Sequence, residues 1–378
     1  MRVALFTNNY LPFCGGVAIS VETLRRGLEG RGHDAWVFAP RFPGASGPEP
    51  RVVRYPSIPA LAYPEFVLAI PYACRAAARV VDLGIDVFHA HHPFLLGPAA
   101  RRFARRRRRP IVFTYHTRYE KYAHHVPLHH AVVAAAAIRM ATRFAASVDA
   151  VIAPSALVAE ELRAGGVRAP IAVVPTGVDL ERFCPGDTTR ARQALGLTPD
   201  DHVVLYVGRL DPEKSVERVL HAFERITAAV PRTHLVLVGH GTEAPRLRHV
   251  ARALAAGDRI HFLGARRHDT LPACYQAADL FLFASETETQ GLVLAEAAAC
   301  GLPAVAVSAP GCDEVVRDGA TGVLTKGSAA ALADAAIGLL LDPGQRRAMG
   351  VRARDVAVHG FAIGLQIDRT LEVYERLR

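Results

Sequence analysis

Short apolar runs, each ending in polar or turn-forming residues, alternate with helix-like patterns along most of this 378-residue chain. RVALFT (Arg2 to Thr7) comes first, followed by VAISVETLRRGLEGRG, whose apolar residues recur at helical spacing up to a glycine stop. AWVFAP, IDVFHAHHP, PIVFTYHT, VDAVIAPS and IAVVPTGV continue the series, and the Pro/Gly-rich stretch from Arg41 to Pro59 reads as a loop. Such alternation predicts an α/β fold, because consecutive parallel strands need crossover connections that cover the sheet faces with helices. The polar segment PTGVDLERFCPGD (Pro175 to Asp187) interrupts the rhythm, which then restarts with HVVLYVGRL, THLVLVGHG, RIHFLGA, ADLFLFAS, PAVAVSA and GVLT. Two such series predict two facing Rossmann-like domains, residues 1–180 and 181–355, with IGLQIDRTLEVYERL as a terminal helix within 356–378.

The length exceeds what one hydrophobic core usually serves, which agrees with two domains. With 51% hydrophobic and 21% charged residues, the chain is neither disordered nor collagen-like. Its most lipid-like run, AVVAAAAI (Ala131 to Ile138), stops at Arg139, short of the roughly 20 residues that span a bilayer. MRVALFTNNY reads as a first buried strand rather than a signal peptide, so a cytoplasmic location is expected. The six cysteines (Cys14, Cys74, Cys184, Cys274, Cys300 and Cys312) form no C-x-x-C pair, which argues against a disulfide framework or a zinc ribbon. A net charge of +9 points to anionic partners without choosing among nucleic acid, membrane and phosphorylated substrates.

Parallel sheets bind ligands beyond the carboxyl ends of their strands, so the residues just after each apolar run carry the chemistry. In CGGVAISVETL, Gly15 and Gly16 precede a helix whose N-terminal N–H groups can receive a phosphate, although an ordinary turn also fits. In YVGRLDPEKSVERVL, Arg209 and Lys214 can neutralise a diphosphate, or stand as routine charges in a solvated turn. ASETETQGLVLAEAAACGLP is the most informative stretch: a helix from Gly291 to Cys300 carries Glu296 among apolar residues, and Glu288 lies eight residues earlier in the loop. A buried carboxylate needs partners, so Glu296 either meets ligand hydroxyls or pairs with an arginine of the other domain.

Taken together, these motifs resemble the retaining glycosyltransferases of family four (group 1). The resemblance covers nearly the whole chain: the GGV loop, the histidine of YHT, GRLDPEK, VGHG, the E-x7-E pair within S-x-x-E-x-x-G-L-V-L-x-E-A, and the terminal helix. It implies the GT-B fold, with an N-terminal acceptor-binding domain, a C-terminal nucleotide-sugar-binding domain, and the terminal helix crossing back toward the former. Gly15 and Gly16 would approach the donor diphosphate and the acceptor, and His116 the transferred sugar. Arg209 and Lys214 would bind the diphosphate, the N–H groups at Gly291, Leu292 and Val293 would face the phosphates, and Gly239 would belong to the donor site. Glu288 would hold hydroxyls of the donor sugar and Glu296 those of the ribose, while the base would lie against Phe262 to Gly264. Two departures stand out: Ser215 where the family commonly has glycine, and His240 where it often has an acidic residue. The resemblance also implies catalysis without a metal or other cofactor. Retention is expected through a same-face attack assisted by the departing phosphate, since no nucleophile stands out, with a covalent intermediate as the alternative; domain closure over the donor is expected with Pro175 to Asp187 near the hinge.

The run HHPFLLGPAARRFARRRRRP holds Arg105, Arg106, Arg107, Arg108 and Arg109, which suit an anionic membrane or complement the C-terminal dipole of their own helix. Nucleic acid is not the expected partner, since Phe103 alone is available for base stacking there, and a nucleic-acid-binding protein stands only as a distant alternative. Tyr119 and Tyr122 precede a His-rich loop and an apolar helix that fits either a membrane interface or the core. This stretch, with TETQG, is similar to bacterial diacylglycerol glucosyltransferases and lipid mannosyltransferases. A lipid acceptor and a peripheral position on the inner membrane face follow from that similarity. UDP-glucose is the expected donor, with GDP-mannose or a soluble acceptor as alternatives. The crowded histidines lack a standard metal-ligand pattern, so His91 and His92 are expected to line the acceptor cleft rather than a metal. A nicotinamide-dependent oxidoreductase would need a G-x-G-x-x-G fingerprint that the chain lacks.

Overall fold

The computed structural model describes residues 1–13, 15–43, 49–60, 66–71, 78–80, 82–118 and 130–378, the side chains of 130 and 131 excepted. Its strands are β1 (Arg2–Phe6), β2 (Asp34–Pro40), β3 (Val52–Tyr55), β4 (Ser57–Pro59), β5 (Val67–Ala69), β6 (Val87–Ala90), β7 (Ile111–Thr114), β8 (Ala150–Ala153), β9 (Ile171–Val173), β10 (His202–Val207), β11 (Thr233–Val238), β12 (Ile260–Gly264), β13 (Leu280–Phe283), β14 (Ala304–Val307) and β15 (Gly322–Thr325). The chain divides into two compact units, Met1–Gly177 with Ile363–Arg378, and Val178–Ala362.

In the first unit seven strands form a parallel sheet in the order β3-β2-β1-β6-β7-β8-β9. Alternate residues of each strand enter different cores, as the two-residue strand period requires. Ala4, Phe6, Phe38, Phe88 and Phe113 pack on one face, with residues of the helices Leu96–Arg107, His130–Ala145 and Ala156–Ala164. Val3, Leu5, Val37, Val87 and Val112 pack on the other, against Leu24 and Leu28 of the helix Gly16–Gly30 and Ile367 and Tyr374 of the terminal helix Ile363–Glu375. Gly27 permits that helix contact, because a Cβ there would come 2.4 Å from Ile367 Cδ1.

The second unit has one core around a six-stranded parallel sheet, order β12-β11-β10-β13-β14-β15. Both sheets reverse order beside their first strand, β1 and β10 respectively, which is the doubly wound plan. The unit boundaries, at Gly177/Val178 and Ala362/Ile363, lie a few residues from the sequence-based 180/181 and 355/356. The second difference arises because the helix Pro343–Gly360 runs past residue 355, and Ala357 and Phe361 still belong to the second core.

The region from Arg41 to Pro59, expected as loop, contains β3 and β4. Among the described residues β3 pairs on one side only, with β2, and β4 forms an antiparallel ribbon with β5, so neither needs the continuous apolar run of a central strand. Cys184, Cys274, Cys300 and Cys312 are free thiols; Cys14 and Cys74 lie outside the described residues.

Candidate active site

In the second unit the strand order reverses between β10 and β13, and the loops leaving these two strands carry the expected residues. Lys214, after β10, donates from Nζ to Oε1 of Glu288, after β13, at 2.6 Å. Burial pushes the Glu288 carboxyl up, but Lys214, a Ser285 hydrogen bond and Arg209 outweigh it and hold the group below its ordinary range. Glu288 is therefore a carboxylate at neutral pH, able to accept hydrogen bonds from hydroxyl groups. Arg209 donates to Glu213 Oε1 at 2.5 Å and also to Asp211. Asp211 in turn accepts from the Thr242 N–H at 2.8 Å and the Thr242 hydroxyl at 3.0 Å, so acidic side chains orient the guanidinium and tie its loop to the one after β11.

Glycine makes that junction possible. At Gly239, φ is +151° and a Cβ would fall 1.8 Å from the Gly208 carbonyl oxygen. The Leu210 N–H donates to the His240 carbonyl at 2.9 Å, a main-chain bond that does not depend on which side chain occupies position 240. Ser215 has φ +51°, in the left-handed region, which gives a physical reason for the family's usual glycine at that position.

Gly291, with φ +71°, caps the helix Leu292–Ala299. The Leu294 and Ala295 N–H groups turn back to the Gly291 carbonyl, while those of Leu292 and Val293 have no acceptor within the helix and carry the positive end of its dipole. Glu296 is 3% exposed; its Oε2 accepts from the Tyr275 hydroxyl at 2.7 Å and its Oε1 lies 2.8 Å from His268 Nε2. Burial and the adjoining carboxylate push the Tyr275 hydroxyl well up, so it remains the proton donor. These partners belong to the same unit as Glu296 and supply the pairing that a buried carboxylate needs. The sequence offered no signal for them: an isolated tyrosine and histidine, 21 and 28 residues away, reach Glu296 through the fold. Phe262 and Leu263 end β12 half-buried, with the Arg248 guanidinium 4.7 Å from the Phe262 ring centroid.

In the first unit Gly15 is the extended N-cap of the helix Gly16–Gly30, and among the described residues nothing lies within 4 Å of a Cβ built on Gly16. His89, at the end of β6, is hydrogen-bonded to Tyr374 at 2.6 Å and to Thr114 at 2.7 Å. His91 Nδ1 lies 2.8 Å from His116 Nε2, and His92 Nδ1 accepts from the Asn8 N–H at 3.1 Å. Burial lowers His89 and His92 to about 3 and His116 to about 4, so these rings are neutral at physiological pH. His91 and His92, expected to line the acceptor cleft, are 1% and 7% exposed, and their side chains hydrogen-bond to His116 and to the Asn8 N–H, which follow β7 and β1.

Arg105 to Arg109 are all exposed at the C-terminal end of the helix Leu96–Arg107, and none makes an ion pair among the described residues. Tyr119 and Tyr122 lie outside the described residues. Among the described residues no group of three or more His, Cys, Asp or Glu could hold a metal ion, and no helix is long and apolar enough to cross a membrane.

Two doubly wound parallel units, the second presenting a cation–carboxylate pair beside an open helix N-terminus, fit the GT-B class of glycosyltransferases, to which the family models and solved structures also point. A family model for glycosyl transferases group 1 matches residues 187–356, and one for glycosyltransferase family 4 matches residues 14–182. The chain belongs to this family and is a hexosyltransferase. It is 30% identical over 333 residues to the alpha-monoglucosyldiacylglycerol synthase of Streptococcus pneumoniae, covering 86% of this chain and 76% of that one. It is 32% identical over 379 residues to the GDP-mannose-dependent alpha-(1-6)-phosphatidylinositol monomannoside mannosyltransferase of Mycolicibacterium smegmatis, covering 94% of each. Among solved structures, sucrose-phosphate synthase from Thermosynechococcus elongatus superposes with a TM-score of 0.85 at 25% identity, covering 100% of this chain and 98% of that one.

Proposed function

We propose that the enzyme transfers a hexose, with retention of anomeric configuration, from a nucleotide-sugar to a membrane lipid such as diacylglycerol, with UDP-glucose as the favoured donor. The observation that carries this reading is the Lys214–Glu288 pair at the strand-order reversal of the second unit. One partner is a cation suited to a diphosphate, the other an ionised acceptor for sugar hydroxyls. Arg209, Lys214 and the N–H groups of Leu292 and Val293 stabilise the leaving diphosphate, so that transfer proceeds with no metal supplied. Gly15, Gly16 and Gly239 allow close approach to the phosphates, Glu296 holds the ribose, Phe262 and Leu263 flank the base, and His116 touches the transferred sugar. The acceptor hydroxyl attacks the anomeric carbon on the face the diphosphate leaves. The bond to the β-phosphate oxygen breaks, and that oxygen takes the hydroxyl proton.

The membrane part of the reading is supported by the unpaired Arg105 to Arg109 and by the helix His130–Ala145, which exposes Val132 (67%), Ile138 (43%) and Met140 (54%). The pneumococcal relative, named for a glucosylated diacylglycerol, favours glucose on that lipid. A GDP-mannose-dependent transfer is the second reading, favoured by the mycobacterial relative's name and its fuller coverage.

A donor panel with EDTA present tests both: UDP-glucose, UDP-galactose, UDP-N-acetylglucosamine and GDP-mannose, each with and without diacylglycerol in anionic micelles, read by mass spectrometry. An α-linked glucolipid from UDP-glucose is the expected product, reduced at least about 100-fold by Lys214→Ala. A mannolipid selects the second reading, and donor turnover without glycolipid discards the lipid acceptor. Serine at Arg105 to Arg109 is expected to weaken co-sedimentation with anionic vesicles at low salt while sparing donor affinity.

A further inference from the structure

Three imidazoles from the ends of β6 and β7 form a stack. The ring centroids of His89 and His91 are 4.2 Å apart at an interplanar angle of 29°, and those of His91 and His116 are 5.1 Å apart at 25°. His89 is held at both nitrogens, by the hydroxyls of Tyr374 and Thr114. His91 is held at Nδ1 by His116 Nε2, but its Nε2 is buried with no hydrogen-bond partner among the described residues. The same ring lines a narrow cavity with His89, His116, Ser20, Thr176 and Gln366. At about 10 Å³ that cavity is near the size one water needs, and its hydroxyl and amide walls supply the polar partners a buried water requires.

A 2.8 Å contact between two neutral imidazoles can be a hydrogen bond only if one nitrogen carries hydrogen and the other does not. The hydrogen bond made at the far nitrogen decides which. We propose that His91 is a positioning residue for His116: its Nε2–H donates to a water in this cavity, its Nδ1 accepts from the His116 Nε2–H, and the His116 ring is thereby fixed in one tautomer and orientation. His89, braced by Tyr374 of the terminal helix, backs the stack. This rests on the reading that His116 touches the transferred sugar. It adds a residue that meets no substrate and acts through the ring that does.

The test uses the full chain. Nitrogen-15 spectra of the imidazoles in the unmodified protein should show His91 and His116 both protonated at Nε2. His91→Asn, whose Oδ1 can take the place of Nδ1 as acceptor, should retain kcat within about threefold. His91→Leu, which removes the acceptor, should lower kcat roughly 10- to 100-fold, as loss of an orienting partner does at comparable sites, with donor KM within twofold. The proposal is overturned if His91 is protonated at Nδ1, or if the Asn and Leu variants, both folded by circular dichroism, lose kcat equally. His116→Ala separates the two claims. Unchanged kcat in that variant would sink the role of His116 itself, while the spectra still decide whether His91 sets its tautomer.

Discussion

His89, His92 and His116 differ from a free imidazole because burial disfavours their charged forms, lowering them to about 3, about 3 and about 4. An unfolded chain takes up protons on these rings as pH falls below about 6.5, whereas the folded chain does not until near pH 4. Their effect on stability is therefore absent above pH 6.5 and grows unfavourable as pH falls through the window down to the folded values. Each ring is expected to cost on the order of 1 kcal/mol at pH 5.5, so the urea midpoint should be lower there than at pH 7.5. Equal midpoints would mean that the folded rings accept protons readily. Glu288 acts in a different window, because its carboxyl is held below its ordinary 4.5. The stability its pair with Lys214 contributes is complete above 4.5 and lost as pH falls through the folded value.

The turn 208–215 shows how an element can be legible in outline and opaque in detail. Its charged residues stand out in GRLDPEK, and the preceding apolar run marks where they leave the sheet. The left-handed backbone at Ser215, by contrast, appears only once the short 3-10 turn Pro212–Lys214 must feed directly into the helix Val216–Ala229. A side chain in that region costs roughly 1 kcal/mol relative to glycine. Ser215→Gly is accordingly expected to raise stability by about 1 kcal/mol in urea unfolding and leave donor affinity unchanged, since no hydroxyl hydrogen bond caps the helix. A neutral or destabilising result would show that the hydroxyl has a role the strain argument omits. β3 and β4 escaped the sequence for a related reason: at an edge or in a two-stranded ribbon, pairing on one side replaces the apolar patterning that announces β1 or β10.

Continuity along the chain separates the two units physically. Val178–Ala362 is one unbroken segment with its own core, whereas the first unit is completed by Ile363–Arg378. A fragment of residues 178–362 is therefore expected to fold cooperatively alone and, on the proposed function, to bind a nucleoside diphosphate in calorimetric titration. Residues 1–177 alone should lose cooperative unfolding, because Leu24, Leu28 and His89 lose Ile367 and Tyr374 as packing partners. Gly27→Ala probes the same contact in the intact chain: its Cβ would overlap Ile367, and about 1–3 kcal/mol of destabilisation is expected, confined to the first unit. A fragment 1–177 as stable as the full-length first unit would contradict this account.

Periodicity and motif order carried the α/β class, the two strand series, the terminal helix and the family, because each is encoded by residues close together along the chain. The positions of Arg209, Lys214 and Glu288 were readable for the same reason, since strand-end loops follow directly from where apolar runs stop, and Glu296 stood out as a charge inside an apolar helical run. Partners were not. Glu288 meets Lys214 across 74 residues, Glu296 meets His268 and Tyr275, and His89 meets Tyr374 across 285 residues. The hydrogen bonds that tie His91 to His116 and His92 to the Asn8 N–H likewise come from residues that follow other strands. Local spacing can say that a charged or polar group stands at the mouth of a sheet. Whether it faces solvent or a partner depends on contacts that sequence order does not contain, and folding alone makes them.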